Sequence, residues 1–229
     1  MVTVAQPAVP DMAYQRGVVL VLLAGTCWSI MGLAVRFMET ATVAQILVYR
    51  SLSLSPFLLV LIAVRSGGGP WRAIRESGLP GIYGGMALVV AFAGGIAAIQ
   101  LTTVANALFL FAAAPFFAAV LGWAILGEQV RAATWLAMVI GCGGIGLMVS
   151  EGIALGYIWG NLLAVLSALG FAIFTIALRW RPGTDMLPVV FLGSIFSLGA
   201  ATAFCLASGI GIALPLNEIL LCLGLGVFQ

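Results

Sequence analysis

The stretch Val104–Glu128, VANALFLFAAAPFFAAVLGWAILGE, most constrains what this chain can fold into. It is an apolar run long enough to cross a bilayer, since a transmembrane helix needs about 20 such residues. It carries one amide near its start, one proline near its middle and one carboxylate at its end. In hydrocarbon every backbone donor and acceptor must be satisfied within the segment, so a run of this length is a helix. Similar runs recur along the chain: 63% of residues are hydrophobic and 7% charged, against roughly 25% charged in a soluble domain. The predicted fold class is all-α, a polytopic transmembrane helical bundle.

Composition also narrows the chemistry. The net charge is +2 and every basic residue is an arginine, with no lysine and no histidine. No basic tract is present for nucleic acid, and Schiff-base chemistry and the commonest general base and metal ligand are missing. Neither a metal nor a cofactor is expected, and no enzymatic activity. Cys27, Cys142, Cys205 and Cys222 fall in separate apolar runs without paired spacing, as small packing residues do.

Gly, Pro, Arg and Glu clusters divide the chain into segments at about 17–38, 43–64, 80–101, 104–126, 132–150, 155–178 and 186–207, with another starting near 217. The run after Arg16 is too long for a signal-peptide core and is predicted to be a retained first span. Cytoplasmic loops collect arginine. With the N-terminus inside, Arg16, Arg65, Arg72, Arg75, Arg131, Arg179 and Arg181 are cytoplasmic, Arg36 is at the outer side and Arg50 is within the second span. Eleven residues from Ile219 to Gln229 cover about half of a ~30 Å hydrocarbon core. The chain is therefore expected to be a fragment of a longer protein.

A shift of 143 residues superposes Gly17 on Gly160, Trp28 on Phe171, Arg36 on Arg179 and Ser51 on Ser194. Five spans separate the two starts, and an odd number inverts the second copy, the architecture of secondary transporters. The expected organisation is a lead over residues 1–16, a first five-helix repeat over 17–152 and a partial second repeat over 153–229.

Polar groups inside such spans are where function is sought. GCGGIG at Gly141–Gly146 matches the dinucleotide fingerprint, but that motif works only between a strand and a helix. Inside an apolar run its glycines are expected to serve close helix packing, as are the small residues of the third span, Gly81 to Ala98, and Gly25, Ser29 and Gly32 of the first. Trp28 lies near mid-depth, either as core or as the wall of a cavity. Arg50 either snorkels or pairs structurally, with Glu39 as the nearest partner, or faces a substrate. Gln100, Thr102, Thr103 and Asn106 either cap a helix or form a polar rim, from which the face Asn106, Leu110, Ala113 and Phe117 runs inward. Pro115 leaves the Phe111 carbonyl without its helical donor, as a kink or as part of a transport site.

Together Gly25–Trp28 in the first span, Arg50 in the second, and Asn106, Pro115 and Gly127–Glu128 in the fourth resemble the EamA-type branch of the drug/metabolite transporter superfamily. The restart near Gly160 resembles the same ten-helix inverted-repeat plan. The resemblance covers about residues 17–229. It implies a secondary carrier in the plasma membrane, expected to be a bacterial inner membrane, that exports amino acids or related small metabolites by alternating access. Alternatives are a carrier of nucleotide-linked or lipid metabolites, or a non-transporting assembly or sensor subunit. It implies a substrate site at Trp28, Gln100, Asn106, Phe109 and Phe171, to which Arg50 is added, with Pro115 as a hinge. Glu128 is implied to be structural, beside Arg131. The implied partners are the lipid bilayer, a small-molecule metabolite and a coupling proton or ion.

Overall fold

The computed structural model describes residues 11–154, 156–181, 183 and 185–228, with the side chains of 11–13, 148 and 151–154 outside that description. Most of the expected N-terminal lead therefore lies outside the described residues. Among these residues every regular element is an α-helix: α1 (Asp11–Phe37), α2 (Val43–Arg65), α3 (Pro70–Glu76), α4 (Gly78–Leu101), α5 (Val104–Phe111), α6 (Ala114–Leu126), α7 (Ala132–Ala154), α8 (Ile158–Trp180), α9 (Met186–Ala207) and α10 (Leu216–Phe228). Six spans, with α5 and α6 taken together, are long and apolar enough to cross a membrane, and two shorter apolar helices accompany them.

The predicted segments match these helices to within a few residues, with three differences. Helix α1 starts at Asp11, before the expected position 17. The short helix α3 was expected as loop; Pro70 at its first turn, preceded by Gly69, starts it. The fourth segment is two helices, broken at Ala112 and Ala113. Pro115 has no N–H to return to Phe111, and the backbone closes instead through tighter turns, Ala113 N–H to Leu110 and Phe116 N–H to Ala113.

Lipid supplies no hydrophobic drive between helices, so close backbone approach through small residues holds such a bundle together. Helices α4 and α8 form the most extensive pair. A Cβ on Gly170 would lie 2.8 Å from the Ala87 carbonyl oxygen, and one on Gly94 would lie 2.9 Å from that of Leu163. On the other side of α4, Gly85 faces the backbone of Gly193 in α9 at 3.0 Å. Helix α9 in turn packs on α2, where the hydroxyls of Ser55 and Ser194 share a 2.9 Å hydrogen bond. Gly226 brings α10 against Arg50 and Leu54 of α2.

The glycines of GCGGIG behave differently from expectation. Gly141 alone meets a neighbour, the Phe116 ring, while Gly143, Gly144 and Gly146 have nothing within 4 Å. Helix α7 packs against the bundle only lightly, so close packing accounts for one glycine of the motif. In α1, likewise, Gly32 meets Val104 but Gly25 meets nothing.

Loops gather at two ends. One holds the α1–α2 turn, the α4–α5 turn and the α9–α10 loop and is called here the Arg36 end. The other holds α3, the α6–α7 turn and the α8–α9 turn and is called the Arg179 end.

Candidate functional site

Helices α1, α4, α5 and α8 converge on a cavity lined by Trp28, Met31, Ala91, Phe92, Gly95, Ala98, Ile99, Ala107, Leu108, Phe111, Ala164 and Ser167. Its wall is aromatic. The Trp28 ring lies 5.2 Å from Phe111 and 5.9 Å, edge-on, from Phe171, and Phe111 lies 5.5 Å from Phe171. These are the spacings at which tilted and edge-to-face rings attract. The polar side chain in the lining, Ser167, donates to the Ala91 carbonyl at 2.5 Å and so ties α8 to α4. Free space amounts to about 40 Å³, room for a few waters.

Trp28 and Phe171, both expected at the site, are in ring contact, and Trp28 borders the cavity. Phe109, also expected at the site, is placed elsewhere. Its side chain is 64% exposed and turned away from the cavity, because two residues along a helix rotate a side chain by about 200°. Phe111 stands where Phe109 was expected. The predicted inward face is also displaced: Leu110 and Ala113 are buried in packing, and the cavity face of α5 is Ala107, Leu108 and Phe111.

Arg50 does not snorkel. It is 2% exposed, and its guanidinium sits 3.8 Å above the centre of the Phe92 ring, a cation–π contact. Phe92 lines the cavity, so Arg50 stands behind the wall rather than in it. Glu39 belongs to the α1–α2 turn, where its backbone N–H donates to Glu218.

Gln100 and Asn106 lie at the Arg36 end. Gln100 donates to the Ala41 carbonyl at 2.9 Å. Asn106 donates to the Thr102 hydroxyl at 3.1 Å and to the side-chain oxygen of Asn161. Thr103 caps α5, accepting from the Asn106 backbone N–H. Asn161 is 1% exposed and its Nδ2 makes no hydrogen bond. It stands one turn from Ala164, so the amide pair closes the cavity on that side.

The rest of this end is sewn shut by side chains reaching backbone. Arg36 donates to the Thr102 carbonyl, Gln45 to Gly211 at 2.7 Å and Tyr49 to Ile212 at 2.9 Å. Glu218, 3% exposed in the first turn of α10, accepts from the Glu39 and Thr40 backbone N–H groups at 3.1 Å each and from the Thr40 hydroxyl at 2.9 Å.

At the opposite end Glu128 pairs with Arg179, at 2.5 Å, rather than with the expected Arg131. The left-handed Gly127, φ 67°, turns the chain so that Glu128 folds back beside Gly122. Arg131 is exposed, and its carbonyl starts α7 by accepting from Thr134 and Trp135. The ion pair links the end of α6 to the end of α8, the helix that carries Phe171.

Phe92, Phe111, Asn161, Ser167 and Glu218 escaped the sequence reading. Helical spacing from Trp28 says nothing about which neighbour's phenylalanine it meets. A lone carboxylate at the edge of an apolar run, as at Glu218, was the one visible signal.

A bundle with six helical spans long and apolar enough to cross a bilayer defines a multi-pass membrane protein. The model of the EamA-like transporter family matches residues 15–150, and the chain belongs to that family. It is a multi-pass membrane transporter of small molecules. No curated protein and no solved structure matches it significantly.

Proposed function

We propose that the chain works as an alternating-access carrier that exports amino acids or closely related metabolites with apolar side chains. The observation that carries this reading is the Trp28–Phe111–Phe171 cluster around a contracted cavity with an amide pair at one end. Rings suit an apolar side chain, and the unsatisfied Asn161 Nδ2 offers a donor to a carboxylate. Among the described residues lining the cavity none is charged, which fits a nucleotide-linked substrate poorly. The hydrogen-bonded Arg36 end is the closed gate, and Pro115 is the hinge by which α5 and its Phe111 ring withdraw.

Two further observations support an inverted repeat over 17–152 and 153–229. Helix α4 packs on α9 as α10 packs on α2, and α9 follows α2 by the 143-residue repeat length. Trp28 and Phe171, also one repeat apart, meet at the cavity. The arginine distribution supports a cytoplasmic Arg179 end, with the N-terminus inside.

Release of preloaded radiolabelled leucine and phenylalanine from cells expressing the natural full-length protein tests the reading. Trp28→Ala is expected to cut release at least tenfold at equal membrane abundance, and Phe109→Ala to change it less than twofold. Equal effects of the two would sink the placement of the site.

A further inference from the structure

Two clefts at the Arg36 end join on the outside of the bundle. The first, about 780 Å³, is polar and opens beside the α1–α2 turn, with Arg36, Glu39, Thr40 and Gln100 in its walls. The second, about 460 Å³, is an apolar groove between α2, α4, α8 and α9. Val43, Ala44 and Phe204 border both, so the two clefts adjoin.

The dimensions choose among occupants. Along α4 the groove runs from Ala97 to Val89, about 12 Å at the helical rise, and it ends within the membrane. One leaflet of hydrocarbon is about 15 Å deep. A groove of that depth takes an acyl chain of one leaflet; a helix of a second copy would need the full thickness. The head pocket contributes one cation and one anion. Arg36 spends one donor on Thr102 and keeps others, and Glu39 and Arg36 are not paired with each other. A phosphate on Arg36 and a primary ammonium on Glu39 satisfy both, whereas a quaternary ammonium has no proton to donate and a purely anionic head leaves Glu39 opposed.

We propose that these joined clefts form a binding site for a phosphatidylethanolamine-type phospholipid, with an acyl chain between α2, α4, α8 and α9 and the zwitterionic head between Arg36 and Glu39. The site meets the Trp28 cavity only at Ile99, which borders both. A lipid seated there braces the α1–α2 turn from outside, where Glu218 holds it from within.

The test is native mass spectrometry of the full chain released from nanodiscs holding equal amounts of phosphatidylethanolamine and phosphatidylcholine with identical chains. Retention of the ethanolamine lipid is expected to exceed that of the choline lipid about tenfold. Arg36→Gln and Glu39→Gln, both at exposed positions, should each bring the ratio near one. Ala200→Trp, exposed and in the groove wall, should expel both lipids at an unchanged melting temperature. Equal retention of the two lipids by the unaltered chain overturns the proposal. So does a ratio untouched by either charge substitution, a dimer that Ala200→Trp dissolves, or displacement of the lipid by millimolar leucine, which would make the pocket a substrate mouth.

Discussion

Glu218 shows how much one side chain decides here. A carboxylate buried at the edge of the hydrocarbon is costly unless its oxygens are satisfied. Three donors from Glu39 and Thr40 meet that requirement, and the α1–α2 turn is held to α10 as a result. Hydrogen bonds to a charged group are worth about 1.5–3 kcal/mol each. Glu218→Ala is therefore expected to destabilise the protein by about 2–4 kcal/mol, seen as a lower melting temperature in detergent. It should also speed maleimide labelling of a cysteine placed at Thr40 by severalfold, and Glu218→Gln should fall between. Unchanged labelling would mean that the turn is held by Gln45 and Gln100 alone. The Glu128–Arg179 pair is a weaker tie despite its short distance, because both side chains are more than a third exposed; such pairs contribute about 0–1 kcal/mol.

At the scale of elements, α4 and α8 act as one unit and α5 with α6 as a jointed one. Where Gly170 meets Ala87 and Ala91, the atoms in the way are backbone and cannot rotate aside. Gly170→Ala should therefore cost about 1–3 kcal/mol by overpacking, measured by thermal unfolding in detergent. Gly143→Ala in α7, with open space around it, should leave stability unchanged or slightly raised. The joint behaves oppositely. Pro115→Ala restores a backbone donor and favours one continuous helix across Ala112 and Ala113, so stability should rise while transport falls severalfold, because Phe111 loses the break that sets its ring beside Trp28. Transport at the unaltered rate would show that the joint has no part in gating.

At the scale of the whole molecule, the arginines are sorted between the two ends, seven toward the Arg179 end and Arg36 toward the other. The proposed cytoplasmic Arg179 end rests on that asymmetry. A cysteine at exposed Gln129 should react with a membrane-impermeant maleimide only after cells are opened, and one at Thr103 before. The reverse pattern would invert the proposed direction of export. The number and limits of the spans were legible in the sequence, because hydrocarbon thickness and the cost of bare backbone polarity act on each segment separately. Pro115 likewise announced the break in the fourth span. What the sequence did not disclose were the pairings: Phe111 instead of Phe109, Arg179 instead of Arg131 for Glu128, Phe92 over Arg50, and Glu218 on a turn far away in the chain. A helix's length is a local property, set by its own residues and the solvent. Its rotation about its axis and the neighbour it meets depend on how all the small residues interlock at once, and only the packed bundle decides that.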